Sequence, residues 1–236
     1  MCGITFQEHP DYHSLSEAVS EHLLALIVRR PSAVICLATG ATPKLTYQLF
    51  VEKVNARQVD VSQMTIVKLD EWVGLPPDNP ATCEAFLQQH IIQPLGITPE
   101  RYISFVSDNA DSQECTRIVE QIALRGGLDL CLLGIGKNGH LGLNEPDDIL
   151  EPACHITHLD ERTRLHDMLK LAAAPVEQGI TLGLRDILAA KEVLLLVSGE
   201  GKENAFSALK KGKVTTHIPA SFLWLHPHPT CFYHTH

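Results

Sequence analysis

The sequence predicts a three-layer α/β fold, Rossmann-like in kind, with a mainly parallel sheet and helices on both faces. Three observations predict it. Short apolar runs alternate with longer helix-like segments along the chain. Several runs, such as AVICLA (33–38) and LDLCLLGI (128–135), are apolar almost throughout rather than at every second position, as expected of strands covered on both sides. The glycine-rich and polar stretches cluster just after these runs, and ligands bind at the carboxyl ends of strands in open parallel sheets.

Taken in order, Ser14 and Glu17 form a capping-box pair ahead of a helix whose apolar positions are Leu15, Val19, Leu23, Leu26 and Ile27, and Pro31 closes it. AVICLA is a buried strand. Thr42 then serves as N-cap and Pro43 opens a helix running to about Ala56. MTIVKL (64–69) is the next strand, CEAFLQQHII (83–92) a helix stopped by Pro94, ISFV (103–106) a strand and QECTRIVEQIAL (113–124) a helix. LDLCLLGI is the most apolar strand. EVLLLVS (192–198) follows, then a helix from Lys202 to about Leu209, and FLWLH (222–226) as the last strand. The stretch 144–182 is the least regular and reads as an insertion over the sheet edge. No repeat, low-complexity tract or linker interrupts the chain, so residues 1–236 are expected to form a single domain.

The composition narrows the function. The chain has 236 residues, 44% hydrophobic and 20% charged, which excludes disorder and is enough for a large core. The formal net charge of −9 offers no basic face for a nucleic-acid backbone. No apolar run reaches the roughly 18–20 residues of a membrane span, and the N-terminus lacks the features of a signal peptide. The cysteines at 2, 36, 83, 115, 131, 154 and 231 are dispersed, with no C-x-x-C pair, and read as reduced thiols in a cytoplasm.

Four strand exits carry the candidate chemistry: Thr39-Gly40-Ala41-Thr42, Asp70-Glu71, Gly136-Lys137-Asn138-Gly139-His140 and the GEGK loop ending at Lys202. If their strands are neighbours, these groups converge. Gly40 permits close backbone approach, and a helix N-terminus with two threonine hydroxyls suits an anion, although a plain strand-to-helix turn has the same signature. Lys202 opens a helix in a similar loop, as a point charge for that anion or as a solvated lysine. Asp70 is a candidate general base, because partial burial lifts a carboxylate toward neutrality; a turn acid is the alternative. Asn138, His140 and Glu145 form a candidate acid/base set on a glycine-rich loop. Gly134, Gly136 and Gly139 also match G-x-G-x-x-G, with Asp160 further on, but Gly142 and Pro146 leave no room for the long helix a dinucleotide site needs. The histidine-rich patches, HPHPTCFYHTH at the C-terminus and His155, His158 and His166, match no metal-ligand spacing, so no metal is expected. Ser198 lacks the glycine of a nucleophile elbow.

In this order, TGATP, LDEWVGLP, GIGKNGHLGLNEP, TLGL and SGEGK resemble the glucosamine-6-phosphate deaminase/isomerase family, over residues 10 to 228. AVICLATGATP, VKLDEWV and IPASFLWLH look like its galactosamine-6-phosphate branch. The resemblance implies Asp70 as the base moving a proton between C2 and C1, His140 as the ring-opening histidine and Glu145 as its acid partner. It implies Thr39, Gly40, Ala41, Thr42 and Lys202 as the phosphate site. Glu71, Gly136, Lys137, Gly139 and Arg164 are further candidate substrate contacts. Asn138 stands where the glucosamine enzymes have an aspartate, and Arg162, Arg164 and Lys170 all compete for the role of their phosphate arginine.

The implied reaction converts galactosamine 6-phosphate to tagatose 6-phosphate and ammonia, with no metal or organic cofactor. Glucosamine-6-phosphate deaminase, 6-phosphogluconolactonase and a sugar-phosphate sensor domain are the alternatives. A small-molecule sugar phosphate is the expected partner, without nucleic acid or membrane. Homo-oligomerisation is compatible with the family, and the longer C-terminal tail of its allosteric hexamers has no counterpart here.

Overall fold

The computed structural model describes residues 3–108, 110–172 and 174–234; Cys2 lies outside them. The main sheet has seven parallel strands in the order β1-β10-β9-β6-β2-β3-β5. They are β1 (Thr5–Glu8), β2 (Val34–Leu37), β3 (Thr65–Lys68), β5 (Tyr102–Ile103), β6 (Leu130–Gly134), β9 (Glu192–Val197) and β10 (Pro229–Tyr233).

The central strands separate their side chains by the period of two. Ile35, Leu37, Leu130, Leu132, Leu194 and Leu196 face one layer, while Val34, Cys36, Cys131, Leu133, Val193 and Leu195 face the other. The first face is covered by α1 (Tyr12–Arg29) and α2 (Ala41–Arg57) through Leu15, Val19, Leu23, Tyr47 and Phe50. The second is covered by α4 (Ser112–Leu124), α6 (Leu184–Leu188) and α7 (Glu203–Lys210) through Ile118, Ile187, Phe206 and Leu209. The expected three layers are therefore present.

Several elements differ from expectation in informative ways. The capping box of α1 is built by Asp11, whose carboxylate accepts from the Ser14 amide at 2.6 Å, so Ser14 occupies the third helical position. Gly40, at φ 100°, is the N-cap of α2, and Thr42 already lies inside the helix. The helix begun by α3 (Cys83–Leu87) continues as a π turn over Gln88–Ile92. FLWLH is no strand: Pro219–Leu225 form a 3-10 helix, and the final strand is β10 just beyond. The helix period places Trp224 where its indole N–H donates to the Leu209 carbonyl at 2.8 Å.

The irregular stretch contributes a second, antiparallel sheet of order β4-β8-β7: β4 (Asp70–Val73), β8 (Gln178–Thr181) and β7 (His155–His158). The short α5 (Glu161–Arg164) and a 3-10 helix over Asp167–Leu171 follow β7. The expectation of seven reduced cysteines is corrected at two of them. Cys115 on α4 and Cys154 beside β7 form a disulfide with Cα atoms 5.4 Å apart, because the second sheet folds back over α4. Cys36, Cys83, Cys131 and Cys231 are free and buried. No helix among the described residues is long and apolar enough to cross a membrane.

Candidate active site

The four strand exits do converge, because β9, β6, β2 and β3 are consecutive neighbours in the sheet. Their loops line one cavity of about 610 Å³. Thr39, Gly40, Ala41 and Thr42 enter from β2, Asp70 from β3, Gly136, Lys137, Asn138 and His140 from β6, and Lys202 from β9. Trp72, Arg162, Thr163 and His166 complete the wall.

At the anion end, no side chain caps the N-terminus of α2. Tyr12 on α1 braces the loop by donating its hydroxyl to the carbonyls of Ala41 and Thr42, each at 2.9 Å. Lys202 Nζ donates to Thr42 Oγ1 at 2.6 Å, joining the two loops. Burial, reinforced by the neighbouring positive charge of Lys137, pushes the Lys202 ammonium down to about 8. Two cations and a helix N-terminus thus share one pocket, an arrangement that favours an anion.

Asp70 begins β4 and is 8% exposed. Burial and then the charge of Glu71 push it up to about 7, although His140, Cys83 and Lys68 act in the other direction. A carboxylate poised there is ionised in part at neutral pH and basic enough to take a proton from carbon next to a carbonyl. The Cys83 thiol lies 3.7 Å from Asp70 Oδ1, and Thr39 Oγ1 donates to the same sulfur at 3.2 Å.

Against expectation, Glu71 does not line this cavity. Successive strand residues point to opposite faces, so Asp70 and Trp72 share the cavity side while Glu71 turns inward. It is fully buried, and its oxygens accept from Lys68 Nζ at 2.7 Å and from the amides of Trp72, Cys83 and Glu84. Lys68 Nζ also reaches Glu84 at 2.9 Å, which in turn accepts from Tyr102 and Ser104 hydroxyls. Burial pulls Lys68 down, but the two carboxylates more than reverse this and hold it charged. The network is a satisfied ionic floor beneath the base.

His140 presents its ring across Gly136. A Cβ added at Gly136 would overlap that ring, so a glycine is required there. His140 Nδ1 lies 3.2 Å from Glu145 Oε2 and 3.3 Å from Thr163 Oγ1. Asn138 Nδ2 donates to the same Glu145 oxygen at 2.8 Å. Burial pushes Glu145 up, but its bonds and charge interaction with His140, helped by Asn138, bring it below the ordinary carboxylate value. The arrangement orients the imidazole and fixes which ring nitrogen faces Glu145.

Two further candidates are placed elsewhere. Gly139, at φ 92°, packs on Ile218 and does not line the cavity. Arg164 is exposed and outside it, whereas Arg162, two residues earlier, lines it. Trp72 and His166 were not among the candidates read from the sequence. The strand period could have found Trp72, two residues from Asp70; nothing local in the sequence marks His166 for this cavity. Among the described residues, no group of three or more His, Cys, Asp or Glu side chains is arranged to hold a metal ion.

A sheet of this order with a buried carboxylate, a His–Glu pair and two lysines beside a helix N-terminus at its carboxyl edge defines an α/β protein with a cavity suited to a small anionic ligand. Residues 11–231 match the family described as glucosamine-6-phosphate isomerases/6-phosphogluconolactonase, and the chain belongs to it. It is 61% identical over 231 residues to "Putative deaminase AgaI" of Escherichia coli (strain K12), covering 98% of this chain and 92% of that protein. It is 38% identical over 226 residues to a glucosamine-6-phosphate deaminase of Streptomyces coelicolor, covering 94% and 86%. A solved monomeric glucosamine-6-phosphate deaminase superposes with a TM-score of 0.92 at 32% identity, covering 98% of this chain and 97% of that one. A 6-phosphogluconolactonase of Thermotoga maritima has a TM-score of 0.77 at 17% identity, covering 98% and 100%, a likeness of fold alone.

Proposed function

We propose that the protein deaminates and isomerises an amino-sugar 6-phosphate, with galactosamine 6-phosphate giving tagatose 6-phosphate and ammonia. The observation that carries this reading is the convergence of two proton-handling groups, Asp70 and the Glu145-oriented His140, on one cavity that also holds Lys202 and the α2 N-terminus. The deaminase relatives support the class of reaction.

The phosphate is held by the α2 N-terminus and Lys202, and its binding energy orients the reacting carbons. His140, steered by Glu145, moves the protons of ring opening. In the open-chain 2-amino aldehyde the carbonyl acidifies the C2–H bond. Asp70 removes that proton, the carbonyl takes up the electron pair as an enol, and the proton returns at C1. The resulting C2 imine adds water and expels ammonia. The C1 carbonyl is the electron sink of the proton shuttle, and the imine nitrogen takes up the electron pair when water adds at C2. Asp70 is suited to the shuttle because its value near 7 leaves both its acid and its base forms accessible at neutral pH.

The test is ammonia release with ketose formation from galactosamine 6-phosphate, glucosamine 6-phosphate and 6-phosphogluconolactone. Ammonia from the galactosamine substrate at the higher kcat/KM is expected. Faster turnover of the glucosamine epimer would replace the substrate and leave the mechanism standing. Lactone opening without ammonia release would overturn the reaction.

A further inference from the structure

We infer that His166 is a phosphate-binding residue, donating its Nε2–H into the anion pocket from a segment that folds across the α2 N-terminus. The inference deepens the phosphate reading above and rests on it. His166 stands between α5 and the 3-10 helix Asp167–Leu171. Its Nδ1 accepts the Met168 amide at 3.3 Å, as the cap of that 3-10 helix. An accepting Nδ1 leaves the proton on Nε2, so the tautomer is assigned by the cap. Trp72 flanks the ring, with centroids 5.8 Å apart, and holds its direction. The Nε2 edge faces the phosphate loop: a Cβ placed on Gly40 would lie only 3.5 Å from it. Gly40 therefore leaves open the space into which this donor points.

The charges around the ring suit the neutral donor form. Burial and then His140 hold the imidazole below its ordinary value; Asp167 acts the other way, and Lys202 and Lys137 add to the lowering. Asp167 is exposed and paired with Lys170 at 2.6 Å. A neutral Nε2–H adds a directed bond to an anion without adding a third charge to a pocket that already holds two cations.

The experiment measures inorganic phosphate affinity by calorimetry for the wild type, His166→Asn and His166→Gln, with KM and kcat for the amino-sugar phosphate. Asparagine keeps an acceptor near the Nδ1 position for the Met168 amide but lacks the Nε2 donor. Glutamine extends an amide N–H toward it. His166→Asn is expected to weaken phosphate about tenfold and raise KM similarly, with kcat changed less than twofold, and His166→Gln to recover part of the loss. Equal phosphate affinity in wild type and His166→Asn would overturn the inference while the phosphate reading stands. No phosphate binding by the wild type would overturn both. Should His166→Asn fail to fold, the wild-type His166 ring 15N signals decide: a phosphate-dependent shift of Nε2 supports the assignment, and its absence refutes it.

Discussion

Asn138 Nδ2 donates at 2.8 Å to the same Glu145 oxygen that stands 3.2 Å from His140 Nδ1. The neutral amide thus does for Glu145 what a second carboxylate at 138 could not do while ionised, because a carboxylate there offers no donor. Asn138 Oδ1 also accepts the His140 amide at 3.2 Å, so one side chain braces both members of the pair.

Asn138→Asp keeps the bond from the His140 amide and turns the other contact into two facing carboxylates. One of them must then hold a proton near neutrality. The expected outcome is a higher-lying acid limb in the kcat/KM profile and a loss of about tenfold or more at pH 6.5, with a smaller loss at pH 8.5. Superimposable profiles for variant and wild type would refute the role of this contact.

The pH dependence follows from Asp70. As a base it must be ionised, so kcat/KM should rise about tenfold per pH unit up to the region of 7 and then level off. Stability should run the opposite way. A carboxyl raised in the fold from 3.8 to about 7 binds more protons folded than unfolded in that window, so stability falls as pH climbs through it. Asp70→Asn removes that cost, at most ~4 kcal/mol, and should melt higher than the wild type at pH 8 while losing deuterium exchange at C2. Retained exchange would remove Asp70 from the mechanism.

Cys83 ties the base to the phosphate loop through Asp70 and Thr39. Its thiol bond favours the ionised carboxylate, so Cys83→Ala should move the acid limb to higher pH, and Cys83→Ser should restore it. Profiles taken at saturating substrate separate this from any change in binding.

Gly136 has no room for a side chain because a Cβ there would overlap the His140 ring. Gly136→Ala should displace that ring and reduce turnover of the cyclic substrate about a hundredfold, with an overpacking cost of roughly 1–3 kcal/mol seen in the melting curve. A trapped open-chain analogue should suffer much less, and equal losses on both would argue against a ring-opening role.

Much of this site was readable along the chain. Segments that follow buried apolar runs in a parallel α/β pattern point to the carboxyl edge, and Asp70, His140, Glu145, Thr42 and Lys202 all lie just beyond such runs. FLWLH was misread because a short apolar run looks the same whether it becomes a strand or one turn of 3-10 helix. The strand β1 also gave no local signal, since it lies at the sheet edge with mostly exposed side chains.

Composition, apolar runs and glycine placement were enough to set the α/β layering, the loops that carry chemistry and the residue types they present, since all of these arise from neighbours in the chain. Strand order, the inward turn of Glu71, the second sheet, the Cys115–Cys154 bond and the arrival of His166 over Gly40 came only with the fold. Each depends on contacts between segments far apart in sequence, whose free energy is gained by packing against one another and leaves no trace in local periodicity.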